Sequence, residues 1–306
     1  MNLAVKIFLG SFAILSLPAC TDSGKNKDPL SPRNKPLVHT VNYPLFYFAE
    51  RIAEGLVDLR FAVPSDVDPA FWTPDEATVR KFQKADLILL NGADYAKWTK
   101  KVSLPLLRTV DTSQSFNDKL IYIETGVTHS HGPGGNQSHG GTAFTTWLDF
   151  SQAAQQAEAI MNSFIRKAPK HKETFADNFA ALKQDLLQLD EQVKAITAHK
   201  GSRPLVASHP IYQYLARRYN LNLKMMMWKP DVDPGRAEWQ KLAAQLKEHP
   251  AKWMLWEGEP LPDSADRLQS MEVNSTVFSP CFSQPEQGNF LSVMQQNLEN
   301  MKKVFE

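Results

Sequence analysis

The chain has 306 residues, 42% of them hydrophobic, enough to bury the cores of two domains rather than one. Lys and Arg number 34 against 33 Asp and Glu, a balance that excludes the basic face a nucleic-acid partner requires. A small molecule or an ion remains as the ligand class.

The opening MNLAVK carries one positive charge, and IFLGSFAILSLPA (7–19) is an apolar run too short to span a bilayer as a mature helix. Residues 1–19 therefore read as a secretory signal peptide, set aside from the fold. The run ends in Leu17, Pro18, Ala19 and Cys20, which resembles the bacterial lipobox and implies cleavage before Cys20 with a lipid anchor on it. TDSGKNKDPLSPRNKP (21–36) is polar, contains Pro and lacks hydrophobic periodicity, so residues 20–36 are expected to form a lipidated flexible tether. Cys281 is the other cysteine, and with Cys20 acylated no intramolecular disulfide is available.

From residue 37 strands and helices alternate. LVHTVNY (37–43) is β-rich, and Pro44 opens the amphipathic PLFYFAERIAEG, closed by Gly55. DLRFAVP is a second strand. In TPDEATVRKFQKA the expected N-cap is Thr73, with Pro74 at the first helical position and acids in the first turn. DLILLNG is a continuous apolar strand of the kind buried on both faces in a parallel sheet, and LRTVDTS and KLIYIE complete the set. This alternation predicts an N-terminal α/β lobe over residues 37–150. Near its end HSHGPGGNQSHGG (129–141) brings His129, His131 and His139 together among Gly, Pro, Ser, Asn and Gln. Its composition fits a metal-gathering loop and a polar linker equally well.

Residues 151–199 are helical: SQAAQQAEAIMNSFIRKA (151–168), stopped by Pro169, then a helix over 171–199. In the second, Phe175, Phe179, Leu182, Leu186, Leu189, Val193 and Ile196 recur at steps of three and four, one apolar stripe. At about 1.5 Å per residue this helix is roughly 40 Å long, a rigid spine between two halves. Alternation resumes over 200–306, with strands in RPLVASHP, LNLKMMMW, KWMLWEGEP and STVFSPC and helices between them and over 288–305. The predicted fold class is α/β: two doubly wound α/β lobes joined by a long rigid helix, with a ligand cleft between the carboxyl ends of their strands.

His209 ends a buried strand, where open α/β sheets place ligand-binding groups; a histidine hydrogen-bonded inside the fold fits the same spacing. Glu257 and Glu259, in WEGEP, share one face if the strand stays extended past Trp256, while Gly258 can turn them apart. Two carboxylates beside one imidazole suit a divalent cation such as zinc, which takes N and O ligands at about 2.0–2.2 Å. In SDVDPAFWTP, Asp66 and Asp68 are candidate ligands as well as turn formers, and Phe71 and Trp72 are candidate cleft walls. His39 reads as structural, His171, His199 and His249 as solvent-facing, MMMW (225–228) as core and Cys281 as a buried free thiol. There is no Gly-rich phosphate loop, serine nucleophile elbow or HExxH helix, so no motif supports enzyme chemistry.

Over nearly the whole body, TVNYPLFYFAERIAEG, VPSDVDPAFWTPD, ADLILLNGADYAKW, the WLD segment Trp147–Asp149 and SHPIYQYLARRYNL resemble the substrate-binding proteins of zinc and manganese ABC importers. The resemblance implies two lobes on a rigid helix with a divalent metal held between them as the transported ligand. It also implies an ABC permease and ATPase as partners, and a monomer anchored to the cell envelope through Cys20. Four ligand positions carry over, to Ala70, Thr145, His209 and Ser279, and only His209 can ligate; a His there leans toward zinc. The chain is thus identified as a divergent member. Its available substitute ligands are Glu259, Glu257, Asp68, His129, His131 and His139, and Thr145 and Ser279 are expected beside Phe71 and Trp72 along the cleft. Other readings are a homologue repurposed for a metal chelate or small organic ligand, with Trp256 in a drier cleft, and a zinc-buffering lipoprotein without a transporter. A chelatase-like enzyme is a further reading, against which the export signal counts.

Overall fold

The computed structural model describes residues 35–65, 67–123, 128–130, 136–138, 141–198 and 202–306, with backbone alone for 128–130 and 136–138. The leader, Cys20 and tether residues 21–34 lie outside the described residues, while Lys35 and Pro36 are described. Each element of the N-terminal lobe follows from local chemistry. Strand β1 (Leu37–Thr40) leads into α1 (Tyr43–Ala53), whose first turn is capped by Asn42 Oδ1 accepting from Leu45 N at 3.1 Å. Helix α1 unwinds through Glu54 (φ 45°) into Gly55 (φ 78°), a left-handed exit that favours glycine. After β2 (Asp58–Phe61), α2 (Glu76–Gln83) starts two residues beyond the expected site. Its cap is Asp75, not Thr73, because the Asp75 carboxylate reaches Thr78 N at 2.7 Å.

With β3 (Leu87–Leu90) and β4 (Thr109–Asp111) these strands form a parallel sheet in the order β2-β1-β3-β4. KLIYIE does not join it. Only β5 (Tyr122–Ile123) is extended there, and Tyr122 is exposed, so no apolar face is offered to the sheet. Beyond it lie the short strands β6 (Thr128–Ser130) and β7 (Asn136–Ser138), which pair with each other, and β8 (Gly141–Thr142), which pairs antiparallel with β5.

Helix α3 (Phe150–Lys167) is capped by Asp149, and α4 (Lys172–Thr197) is the long spine. Its stripe is buried from Phe175 to Val193, with Ile196 half-buried, against α1, α3 and the last helix. The C-terminal lobe runs β9 (Leu205–Ala207), α5 (Gln213–Arg218), β10 (Leu223–Met225), α6 (Gly235–Glu248), β11 (Trp253–Trp256), α7 (Pro262–Ser270), β12 (Asn274–Val277) and α8 (Phe290–Phe305). Its parallel sheet has the order β10-β9-β11-β12, the same winding as the first. One core runs through both lobes and the spine; a smaller one on the far face of the second sheet holds Trp228, Trp239 and Trp256. Trp256 is therefore core, not a cleft wall. His249 is buried rather than solvent-facing, because its Nε2 donates to Leu205 O at 2.8 Å.

The lobes are tied directly. Trp147 Nε1 donates to Pro280 O (2.7 Å), Tyr43 N to Phe282 O (3.0 Å) and Tyr214 OH to Ala143 O (2.9 Å). On the spine, buried Asp190 receives Arg218 Nε and Nη2 at 2.9 and 2.6 Å, Tyr219 OH at 3.0 Å and Lys194 Nζ at 2.7 Å. Burial alone would raise its carboxyl, but these donors outweigh that and hold it below the usual carboxylate range. Arg218→Met strips the fork from this carboxylate and is expected to cost about 2 kcal/mol, with Lys194 and Tyr219 limiting the loss. Urea denaturation measures it, and an unchanged midpoint contradicts the assignment.

His39 is buried on β1 against the Phe82 ring, 4.5 Å between centres. Burial first, and Arg60 second, lower its pKa from 6.5 to about 4. The fold thus keeps it neutral where the unfolded chain protonates it. Its contribution is complete above pH 6.5 and is lost as pH falls from 6.5 to 4, about 3 kcal/mol in all. The urea midpoint of His39→Gln should fall less steeply than that of the parent across this window; an identical slope contradicts the account.

Candidate functional site

A cleft of about 530 Å³ opens between the lobes at the carboxyl ends of their strands. The loop after β2 contributes Asp68 and Phe71, the end of β9 contributes His209, the loop after β10 contributes Lys229 to Asp231, the end of β11 contributes Glu257 and Gly258, and Phe282 and Ser283 close one wall. His209 is fixed by its backbone surroundings: Ser208 N donates to Leu255 O (2.9 Å) and Trp228 N to Ser208 O (2.6 Å).

His209 Nδ1 lies 3.3 Å from Glu257 Oε2, with both side chains largely buried. This is longer than the about 2.7–2.9 Å of a charge-assisted hydrogen bond. It matches the roughly 3.3–3.5 Å that separates two ligands of one tetrahedral ion at bond lengths of about 2.0–2.2 Å. Asp68 is half-buried, and its Oδ1 accepts from Ala70 N at 2.9 Å. Burial pushes its carboxyl up to about 6; the Ala70 N–H opposes this, Glu257 adds to it, and His209 and Lys229 oppose it. The four side chains thus share one electrostatic environment. Tyr95 faces the same field: its buried hydroxyl has no hydrogen-bond partner among the described residues, and burial together with the Asp68 charge raises its pKa.

The remaining candidates are dispersed. Glu259 is exposed and off the cleft, since β11 ends at Trp256 and the chain bends at residues 257 and 258. Phe71 walls the cleft, with Lys97 Nζ 4.4 Å from its ring centre, whereas Trp72 packs edge-on against Trp98 at 6.1 Å. Thr145 is buried and donates to Ile211 O across the lobes. It borders a separate cavity of about 300 Å³ that also meets Lys97, Gln213 and the strand ends Ile123 and Gly141. Ser279 serves a turn: its N donates to Asn297 Oδ1 (2.9 Å) and its Oγ accepts from Cys281 N (3.3 Å). Cys281 is a buried free thiol whose pKa burial pushes up to about 12. The His129 side chain, Asp66, His131 and His139 lie outside the described residues. Among the described residues no three His, Cys, Asp or Glu side chains form a metal-holding group.

Lys229 and Tyr95 were not among the sequence candidates. Both follow a parallel strand directly or within a short loop, the rule that singled out His209 and Glu257. A search confined to metal-ligating residue types passes over them.

The family model described as ZnuA, "Zinc-uptake complex component A periplasmic", matches residues 38–304, and the chain belongs to this family. It is 25% identical over 311 residues to the zinc-binding lipoprotein AdcA of Streptococcus pneumoniae, covering 98% of this chain and 60% of AdcA. Thus the chain spans about 60% of the length of that relative. It is 24% identical to the high-affinity zinc uptake system protein ZnuA of Bacillus subtilis, covering 97% of this chain and 96% of ZnuA. The manganese ABC transporter substrate-binding lipoprotein PsaA of Streptococcus pneumoniae is likewise 24% identical, with 94% of each chain covered. The fold matches crystal structures of Zn(II)-bound AdcA (TM-score 0.74, 23% identity, 89% of this chain and 58% of that one) and of the Bacillus subtilis metal-dependent lipoprotein YcdH (TM-score 0.75, 22% identity, 89% and 100%). These relatives are named as metal-binding and transport proteins, not as enzymes. No described helix is long and apolar enough to cross a membrane.

Because the Thr145 hydroxyl satisfies a carbonyl across the lobes, Thr145→Ala should lower stability by about 1 kcal/mol. Urea unfolding measures the loss, and a variant as stable as the parent contradicts the assigned role.

Proposed function

We propose that this protein is an extracytoplasmic solute-binding lipoprotein, a monomer anchored through Cys20, that captures a divalent metal ion and delivers it to the permease and ATPase of an ABC importer. Zinc is the leading metal. Family membership supports the transport role, and the zinc- and manganese-named relatives support a divalent cargo. The single observation that carries the site is the 3.3 Å separation of His209 Nδ1 and Glu257 Oε2 in the interlobe cleft. An imidazole with carboxylates suits zinc, whereas manganese favours carboxylate, carbonyl and water oxygens.

In this reading His209 and Glu257 ligate directly, and Asp68, its Oδ1 held by Ala70 N, lines the cleft beside them. The tetrahedral shell then has room for two more donors, with Asp66, His129, His131 and His139 as the chain's remaining candidates. Glu259 takes no part.

Titration of metal-free protein should give a zinc dissociation constant below 10 µM, about 7 kcal/mol of binding free energy. His209→Ala and Glu257→Gln should each weaken it at least tenfold, and Glu259→Gln should leave it unchanged. A parent protein that binds no tighter than 10 µM overturns the proposal, and affinity indifferent to both cleft variants moves the site elsewhere.

A further inference from the structure

We propose that the cleft takes its metal as a complex with a small carboxylate anion, and that Lys229 is the residue that binds the anion. The inference rests on the metal-binding reading above and names the form of the cargo.

Three observations converge. Two donors at ligand spacing, His209 and Glu257, fill half of a tetrahedral shell, and Asp68 already spends one oxygen on Ala70 N. Zinc takes four ligands, and a chelating anion brings two or more at once.

Lys229 is the second observation. It lies on a loop pinned on both sides: Trp228 N donates to Ser208 O (2.6 Å), Leu261 N donates to Pro230 O (3.0 Å), and the Pro230 ring packs on Gly258. These anchors hold Lys229 between the strand ends that carry His209 and Glu257. Its charge acts on Asp68, yet among the described residues no carboxylate oxygen lies within ion-pair distance of it. An unpaired ammonium beside a bare divalent cation is a like-charge contact that weakens binding. With a carboxylate between them, the same ammonium becomes an attractive partner.

The third observation is room. At about 530 Å³ the cleft lies within the roughly 300–1,000 Å³ of sites for organic ligands, far beyond what an ion with one or two waters fills. Val67, Phe71, Pro230 and Phe282 give it apolar walls, and its charged lining is Asp68, Asp231 and Glu257 with Lys229 as the one lysine among them. No bond is made or broken. The anion's oxygens complete the metal shell, and a further carboxylate pairs with Lys229.

The test is equilibrium dialysis of the metal-free, full-length protein against zinc with radiolabelled citrate, malate or oxalate, each run with and without zinc. Zinc is read by elemental analysis and the anion by its label. The expected result is that at least one anion is retained one-to-one with zinc and is not retained without it. Lys229→Met should then lose anion retention at least tenfold and Lys229→Arg should restore it, with thermal unfolding showing both variants folded. Zinc retained at full level with every anion left in the dialysate overturns this inference and leaves the metal reading standing. Retention of neither zinc nor anion overturns both.

Discussion

The charge of Asp190 is the constraint on which the interlobe architecture depends. A carboxylate buried on the spine helix is tolerable only when its oxygens are filled, and Arg218, Tyr219 and Lys194 fill them. Arg218 also lies 3.6 Å from Asp149, the cap of α3. One guanidinium therefore positions α5 against α4 and against the start of α3. From α5, Tyr214 OH reaches Ala143 O, and just before it Ile211 O accepts from Thr145. His209 is two residues upstream. The imidazole thus inherits its place from an ion pair at the far end of α5, and a cleft fixed before the ligand arrives loses less ordering entropy on binding.

That framework explains what became of the three ligand positions expected from the family resemblance. Ala70 is fully buried and its N–H holds Asp68. Thr145 bridges the lobes, and Ser279 stabilises the turn after β12. None presents a metal donor to the cleft. Charge is concentrated instead on Glu257, Asp68, Asp231 and Lys229 around His209, a set with one lysine of its own.

The fold was legible in the sequence because parallel strands buried on both faces are nearly continuous apolar runs, as in LILL, and because the α4 stripe keeps its period for six turns. Local competition erased the finer detail. Asp75 outcompeted Thr73 as a cap by reaching Thr78 N, and a two-residue β5 lacked an apolar face with which to join the sheet. The site was half legible. Strand ends and residue types pointed to His209, Glu257 and Asp68, although His209 and Glu257 are 48 residues apart. The direction in which a side chain leaves a strand end was not legible: Glu259 alternates with Glu257 on paper, but the chain bends between them. Aromatic residues were equally ambiguous: packing sent Trp256 to the core and set half-buried Trp72 against Trp98 at the core's edge, while Phe71 stayed at the cleft wall.

Zinc-edge anomalous diffraction from crystals grown with zinc tests the central claim most directly. The account predicts the strongest peak inside the interlobe cleft, about 2.0–2.2 Å from both His209 Nδ1 and Glu257 Oε2. A strongest peak among residues 129–141, with none between His209 and Glu257, would contradict it.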